Sequence, residues 1–192
     1  MPRRRAIAPL AALLCVLASR ATHADPPREY LDEETGATVT VVDQPLVFAY
    51  GRQDIAANAH DYVTLAAAAV DRGGKIDYVL IGYFWSTADP RLRTDLLPAP
   101  EPLILRADDR RIALGLRPSA HDAGIGLAVH APNGAQAEPR VYASDLATLR
   151  FIAESRRLTL ITDAGSASLT YELWEDRRAS LRDFVRHANH ED

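Results

Sequence analysis

A two-glycine turn between two long runs of strand-forming residues restricts the fold more than any other feature of the sequence. Asp71-Arg72-Gly73-Gly74 supplies the positive φ angles that a tight β-hairpin needs. The arms, residues 61–70 and 75–86, are both predicted strands, although the run of alanines at 66–69 alone would favour a helix. Positions 78–85 are almost continuously apolar, which predicts a central strand covered on both faces.

Shorter segments on either side of this hairpin extend the same pattern. Strands are predicted at residues 38–42, 46–50, 103–106, 111–116, 125–129, 140–143, 158–162 and 168–174. The turn at 43–45 is expected to join the first two. Apolar residues then recur at offsets of three and four after Ser144 and again after Asp176, which predicts two amphipathic helices. The fold class is therefore α+β: a mainly antiparallel sheet, sandwich-like or strongly curved, with two C-terminal helices.

The N-terminus has the three parts of a cleavable signal peptide. Arg3, Arg4 and Arg5 precede an apolar stretch, and Thr22-His23-Ala24 is a small-x-small cleavage site. The apolar stretch is too short to remain as a membrane anchor, which needs about 20 residues. We expect a signal peptide at 1–24, a flexible leader at 25–37, a single domain at 38–190, and a periplasmic or secreted product.

A lipid anchor on Cys15 is the alternative at this end of the chain. Leu14 precedes that cysteine where the lipoprotein peptidase prefers Gly, Ala or Ser, so lipidation is the less favoured reading. Cleavage after Ala24 removes the only cysteine, and with it any disulfide or metal thiolate. It also removes four arginines, which changes the formal net charge from -4 to -8. An acidic domain is a poor match for nucleic acid or anionic lipid, so neither partner is predicted.

No motif for a catalytic or cofactor site stands out. The nearest string to a hydrolase nucleophile elbow, residues 165–168, lacks the second glycine, and Gly124-Ile125-Gly126 lacks the third glycine of a phosphate-binding loop. His187 and His190 have a helical i, i+3 spacing but lie at a chain end. We predict no metal and no cofactor. If the chain is a metal-dependent or other hydrolase, its residues converge only in the fold, and His60, His121 and His130 are the candidates.

The aromatic residues are the main non-catalytic feature. Tyr78, Tyr83, Phe84, Trp85, Tyr171 and Trp174 are expected to serve the core more than a binding surface. Trp174 is the exception, because strand alternation places it opposite the face that carries Leu169, Tyr171 and Leu173. It is the residue that we predict to form an interaction surface.

Two strings, residues 30–39 (YLDEETGATV) and 82–87 (GYFWST), resemble small exported proteobacterial proteins that carry no assigned activity. The resemblance implies the envelope of a Gram-negative bacterium and no particular functional residue. Our leading hypothesis is a non-enzymatic envelope accessory or binding module that contacts another envelope protein or a small ligand. The alternatives are the hydrolase described above and a membrane-associated, lipoprotein-like structural protein.

Overall fold

The structure is a computed structural model, and it describes residues 25–92, 100–133, 137–164 and 167–191. The proposed signal peptide, including Cys15, lies outside the described residues. The strands are β1 (Arg28–Asp32), β2 (Ala37–Val41), β3 (Leu46–Gly51), β4 (His60–Arg72), β5 (Lys75–Ser86), β6 (Leu103–Ala107), β7 (Arg110–Leu114), β8 (Arg140–Ala143), β9 (Leu158–Ala164) and β10 (Ala167–Glu175). The helices are α1 (Leu146–Glu154) and α2 (Arg178–Glu191), with a short 3₁₀ turn at Pro90–Leu92. The predicted α+β class is confirmed.

The β4–β5 hairpin forms as predicted and is the longest pairing in the sheet. Its register runs from Asp61 opposite Ser86 to Arg72 opposite Lys75. Gly73 and Gly74 close it with φ angles of 65° and 85°, a region that other residues rarely adopt. The alanines at 66–68 are all buried. Their small side chains let β4 be covered closely on both faces, so packing overrides their helical propensity.

The segment at 43–45 does not reverse the chain, contrary to the expectation of a turn. β2 and β3 run in the same direction, and both pair antiparallel with one edge of β4. The N–H of Val42 donates to the carbonyl of Ala67 at 2.9 Å and continues the ladder between them. β4 is long enough to pair with β2 near its C-terminal end and with β3 near its start. Residues 42–45 thus form an irregular link between two strands that pair with the same edge of β4.

The leader predicted at 25–37 contains a strand, so the ordered domain begins near residue 28 and not at 38. β1 pairs with β2 from Arg28 opposite Val41 to Asp32 opposite Ala37. The Arg28 guanidinium binds the buried Asp43 carboxylate at 2.8 Å. The polar composition hid this strand, because an edge strand exposes most of its side chains.

Among the described residues, the remaining strands complete one ten-stranded sheet in which β10 connects β3 to β9, followed by β6 and β7. On the other side of β4, β5 pairs with β8. An isolated bridge between Leu116 and Tyr142 links the chain just after β7 to β8, so the sheet is strongly curved. The predicted strand at 125–129 is wrong: this segment is a loop. The N–H groups of Gly126 and Leu127 bind the Asp32 side chain and not a neighbouring strand.

Both predicted helices form and pack against each other. The side chain of Asp145, and not that of Ser144, caps α1 by accepting from the N–H of Thr148 at 2.6 Å. The apolar stripe of α2, residues Leu181, Phe184, Val185 and Ala188, is buried in the core as expected. Within the described ranges, no helix is both long and apolar enough to cross a membrane.

Candidate functional site

An aromatic cluster lies on the sheet where β4 begins and β5 and β10 end. The register places Glu172 of β10 opposite Ala49 of β3, Ala49 opposite Tyr62 of β4, and Tyr62 opposite Trp85 of β5. Directly opposed residues of antiparallel strands project from the same face. These four positions therefore form one row across the sheet, with two aromatic side chains at one end and a carboxylate at the other.

Tyr62 and Trp85 are stacked. Their ring centroids are 4.3 Å apart and the ring planes differ by 15°. The indole Nε1–H of Trp85 donates to the Thr64 hydroxyl at 3.1 Å. Because Thr64 is buried in β4, this bond fixes the orientation of the indole. The pair is a rigid base in which both rings are half-buried.

Trp174 completes the cluster from a neighbouring part of the sheet. The register of β10 against β3 shifts between Leu173 and Glu175, so Trp174 is the extra residue of a β-bulge. A bulge redirects a side chain, and here the indole lies 6.2 Å from the Tyr62 ring at 82°. Trp174 is 59% exposed, as its place in the alternation of β10 predicts. Its function as a contact residue stays a prediction.

His60 is the fourth member of the cluster. Its ring lies 5.6 Å from that of Trp174 and 5.7 Å from that of Tyr62. Its Nδ1 is 3.2 Å from the carbonyl oxygen of Asn58. Since a carbonyl oxygen only accepts, Nδ1 carries the proton in this contact. We call His60, Tyr62, Trp85 and Trp174 the aromatic patch.

A buried ion pair supports the loop that leads into this patch. The Arg52 guanidinium contacts the Asp61 carboxylate at 2.9 Å and the Asp54 carboxylate at 2.8 Å. Arg52 and Asp61 are only 8% and 1% exposed. The N–H of Arg52 also donates to the carbonyl of Ala59 at 2.8 Å. The chain between Arg52 and His60 is therefore fastened at both ends.

The three histidines of the hydrolase hypothesis lie apart. The Nε2–H of His130 donates to the carbonyl of Val42 at 2.7 Å. Val42 in turn meets β4 at Ala67, which is roughly 23 Å along the strand from His60 at about 3.3 Å per residue. The neighbour of His121, Asp122, binds Arg72 at the far end of β4. Across the described ranges, no group of three His, Cys, Asp or Glu side chains could hold a metal ion.

The other histidine pair is on α2. His187 is exposed near the C-terminal end of that helix. The side chain of His190 lies outside the described residues. The remaining aromatic candidates lie in or against the core: Tyr83 and Tyr171 are fully buried, whereas Tyr78 and Phe84 are partly buried and pack against it.

A second feature, at the turn of the β1–β2 hairpin, is the side chain of Asp32. Its Oδ1 accepts from the N–H groups of Glu34 and Thr35 at 3.1 Å each. Its Oδ2 accepts from those of Gly126 and Leu127 at 2.8 and 3.0 Å. Asp32 thereby joins the hairpin to the loop between β7 and β8.

The protonation of Asp32 follows from these bonds. Burial raises the pKa of its carboxyl group, but the hydrogen bonds from the backbone N–H groups of Leu127, Gly126 and Thr35 outweigh burial. The net pKa is lower than its ordinary value. An open cleft of about 350 Å³ lies beside this carboxylate, between the exposed side chains of Leu31 and Leu127. All four hydrogen bonds to this carboxylate come from backbone N–H groups in the β1–β2 turn and in the loop between β7 and β8. Because they hold these two segments together, the carboxylate has a structural role.

Sequence reasoning missed Tyr62 and His60 as partners of the two tryptophans. The available signal was the hairpin turn, because counting outward from Gly73-Gly74 places Tyr62 opposite Trp85. It also missed Asp32, whose partners at Gly126 and Leu127 are distant in sequence and carry no side-chain signal. Comparison with protein-family models, with curated proteins and with solved structures finds no match for this chain.

Proposed function

We propose that this chain is an exported, non-enzymatic envelope accessory or binding module, and that the aromatic patch is its contact surface. The observation that carries the proposal is the exposure of Trp174 beside the rings of His60 and Tyr62. Tryptophan and tyrosine are enriched among the residues that dominate binding energy, because they bury a large area at a small entropic cost. A tryptophan that is mostly exposed has that area still available.

The rigidity of the patch also supports binding. Tyr62 and Trp85 stack on paired strands, the Trp85 indole is held by Thr64, and Arg52 fastens the adjoining loop. A surface that is already ordered loses little conformational freedom when a partner docks. The hydroxyls of Ser86 and Thr87, beside the patch, donate to the carbonyl of His60. These two hydroxyls hold the backbone at His60 in place and thereby support the position of the rings.

The proposed location rests on the sequence of residues 1–24, with its arginines, apolar stretch and cleavage site. Export would bring the patch into contact with components of the cell envelope. This proposal and the patch proposal are separable, because the first predicts where the protein is and the second predicts which residues it uses there.

The test is retention by the envelope of the producing cell. The full gene is expressed with its own leader, as wild type, Trp174→Ala and Leu31→Ala. Leu31 is the matched control, since it is 64% exposed but lies on β1, away from the patch. Cells are fractionated into cytosol, soluble periplasm and washed envelope, and the protein in each fraction is quantified by immunoblotting.

We expect the wild type and Leu31→Ala to be shared between periplasm and envelope. For Trp174→Ala, the fraction in the envelope should fall at least about tenfold. Far-UV circular dichroism of the purified variants checks that folding is unchanged. Equal retention of all three proteins would show that the patch is not the contact surface. Recovery of the uncleaved chain in the cytosol would contradict the proposed export.

A further inference from the structure

We infer that the aromatic patch binds the flat face of a neutral β-linked pyranose polymer built from glucose-like units. This inference rests on the proposed function and names its ligand class. Three properties of the patch lead to it: the charge of its surroundings, the packing of its rings, and the carboxylate in the same row of the sheet.

Two arginines close to the patch along the chain are both bonded to carboxylates. Arg52 is buried between Asp54 and Asp61, and Arg177 pairs with Glu175 at 3.2 Å. Stacking surfaces for single-stranded nucleic acid combine aromatic rings with a positively charged groove. Here both arginines are already bonded to carboxylates, and these carboxylates together with the exposed Glu172 outnumber them. A ligand without phosphate charge is therefore favoured.

The spacing of the rings favours a flat ligand over an enclosed cation. Recognition of a quaternary ammonium needs several ring faces arranged around a space that the cation can fill. In the patch the rings contact each other, with centroids 4.3 to 6.2 Å apart. Trp174 is the most exposed of the four side chains. It is a platform on which a flat ligand can lie.

A pyranose with equatorial hydroxyl groups fits such a platform. One face of the ring presents axial C–H bonds, whose partial positive charge matches the negative face of an indole. β-Linkage through equatorial positions keeps successive rings extended, so a chain can run across the patch. The hydroxyls at the rim of each ring then need hydrogen-bond partners.

Glu172 can supply one such partner. It lies in the same row as Tyr62, two strands away, and it is exposed. Strands are about 4.8 Å apart, so the two positions are separated by roughly 10 Å. A sugar stacked on Trp174 has hydroxyls within that span. Hydrogen bonds to a charged acceptor are stronger than those to a neutral one.

The chain carries its own probe for this test. It has two tryptophans, Trp85 and Trp174, and both belong to the patch. Intrinsic tryptophan fluorescence therefore reports on this surface alone. Protein expressed from the full gene is titrated with cellopentaose and chitopentaose, and in parallel with tetramethylammonium chloride and oligothymidylate. The variants are Trp174→Ala, Glu172→Gln and the control Leu31→Ala.

We expect at least one pentasaccharide to shift the emission saturably in the wild type and in Leu31→Ala. Trp174→Ala should weaken the apparent affinity at least about tenfold, as measured by isothermal titration calorimetry. Glu172→Gln should weaken it by about threefold to tenfold. Because both positions are exposed, both variants should fold normally.

Two results would overturn the inference. One is no saturable change with either pentasaccharide, and the other is binding of tetramethylammonium or oligothymidylate in their place. If either occurs while Trp174→Ala still lowers envelope retention, the sugar is wrong and the contact surface stands. If Trp174→Ala changes neither retention nor any titration, both proposals fail together.

Discussion

Replacing Asp32 with asparagine should strongly destabilise the protein, although the two side chains are similar in size. The carboxylate accepts four backbone hydrogen bonds, two on each oxygen, and is 3% exposed. An asparagine keeps one acceptor oxygen and turns the other position into a donor. Two backbone N–H groups, either in the β1–β2 turn or in the loop at Gly126, then lose their partner.

The size of the effect follows from the number of bonds lost. A hydrogen bond to a charged group contributes about 1.5–3 kcal/mol, so losing two should lower the free energy of unfolding by about 3–6 kcal/mol. For a domain of this size, that corresponds to a fall in Tm of roughly 6–24 °C. Urea denaturation of wild type, Asp32→Asn and the control Asp109→Asn measures it. Asp109 is exposed, so its substitution should change stability by less than about 0.5 kcal/mol.

The same comparison has a pH dependence of known sign. Because the folded-state pKa of Asp32 lies below its ordinary value of 3.8, its stabilising contribution is fully present above about pH 5. It is lost as the pH falls through the unfolded and then the folded pKa. The difference between wild type and Asp32→Asn should therefore be constant from about pH 5 to 8 and shrink below about pH 4. A difference under about 0.5 kcal/mol at neutral pH, or one that grows on acidification, would refute the reasoning.

Two further substitutions test the packing, each against a matched control. Gly126→Ala should cost about 1–3 kcal/mol, because its Cβ would lie 2.5 Å from Oε2 and 2.7 Å from Cβ of Glu34, whereas Gly115→Ala meets no atom within 4 Å and should be nearly neutral. Tyr83→Phe should be neutral or stabilising, because its buried hydroxyl has no hydrogen-bond partner among the described residues. Tyr142→Phe should cost about 1 kcal/mol, because it loses a 3.1 Å bond to a backbone carbonyl. Thermal and urea unfolding measure both pairs.

Local signals were sufficient for much of the fold. The Gly73-Gly74 turn and its apolar arms predicted the central hairpin, and the three-and-four spacing of residues 181–188 predicted the buried face of α2. They failed where a non-local partner decides the structure. β1 is polar because it is an edge strand. Its pairing with β2 could be predicted only if the pairing of β2 with β4 were already known. The loop at 125–129 is apolar enough for a strand, but Asp32 takes its N–H groups.

The candidate site divides in the same way. Alternation along β10 predicted that Trp174 would face away from Tyr171, and counting from the hairpin turn would have paired Tyr62 with Trp85. Neither rule brings Trp174 to Tyr62. That contact needs β10 to lie beside β3 and a bulge to redirect the indole. Bulges and long-range strand order depend on the whole sheet, so the patch could not be assembled from sequence alone.

The most direct test of the central claim is a heteronuclear NMR titration of ¹⁵N-labelled protein with the two pentasaccharides. The two indole Nε1–H groups, of Trp85 and Trp174, give two separate cross-peaks that both belong to the patch. We predict that at least one sugar shifts the Trp174 indole signal, with backbone changes confined to the start of β4 and the ends of β5 and β10. Unchanged indole signals, or changes centred on Leu127 and its cleft, would contradict the account.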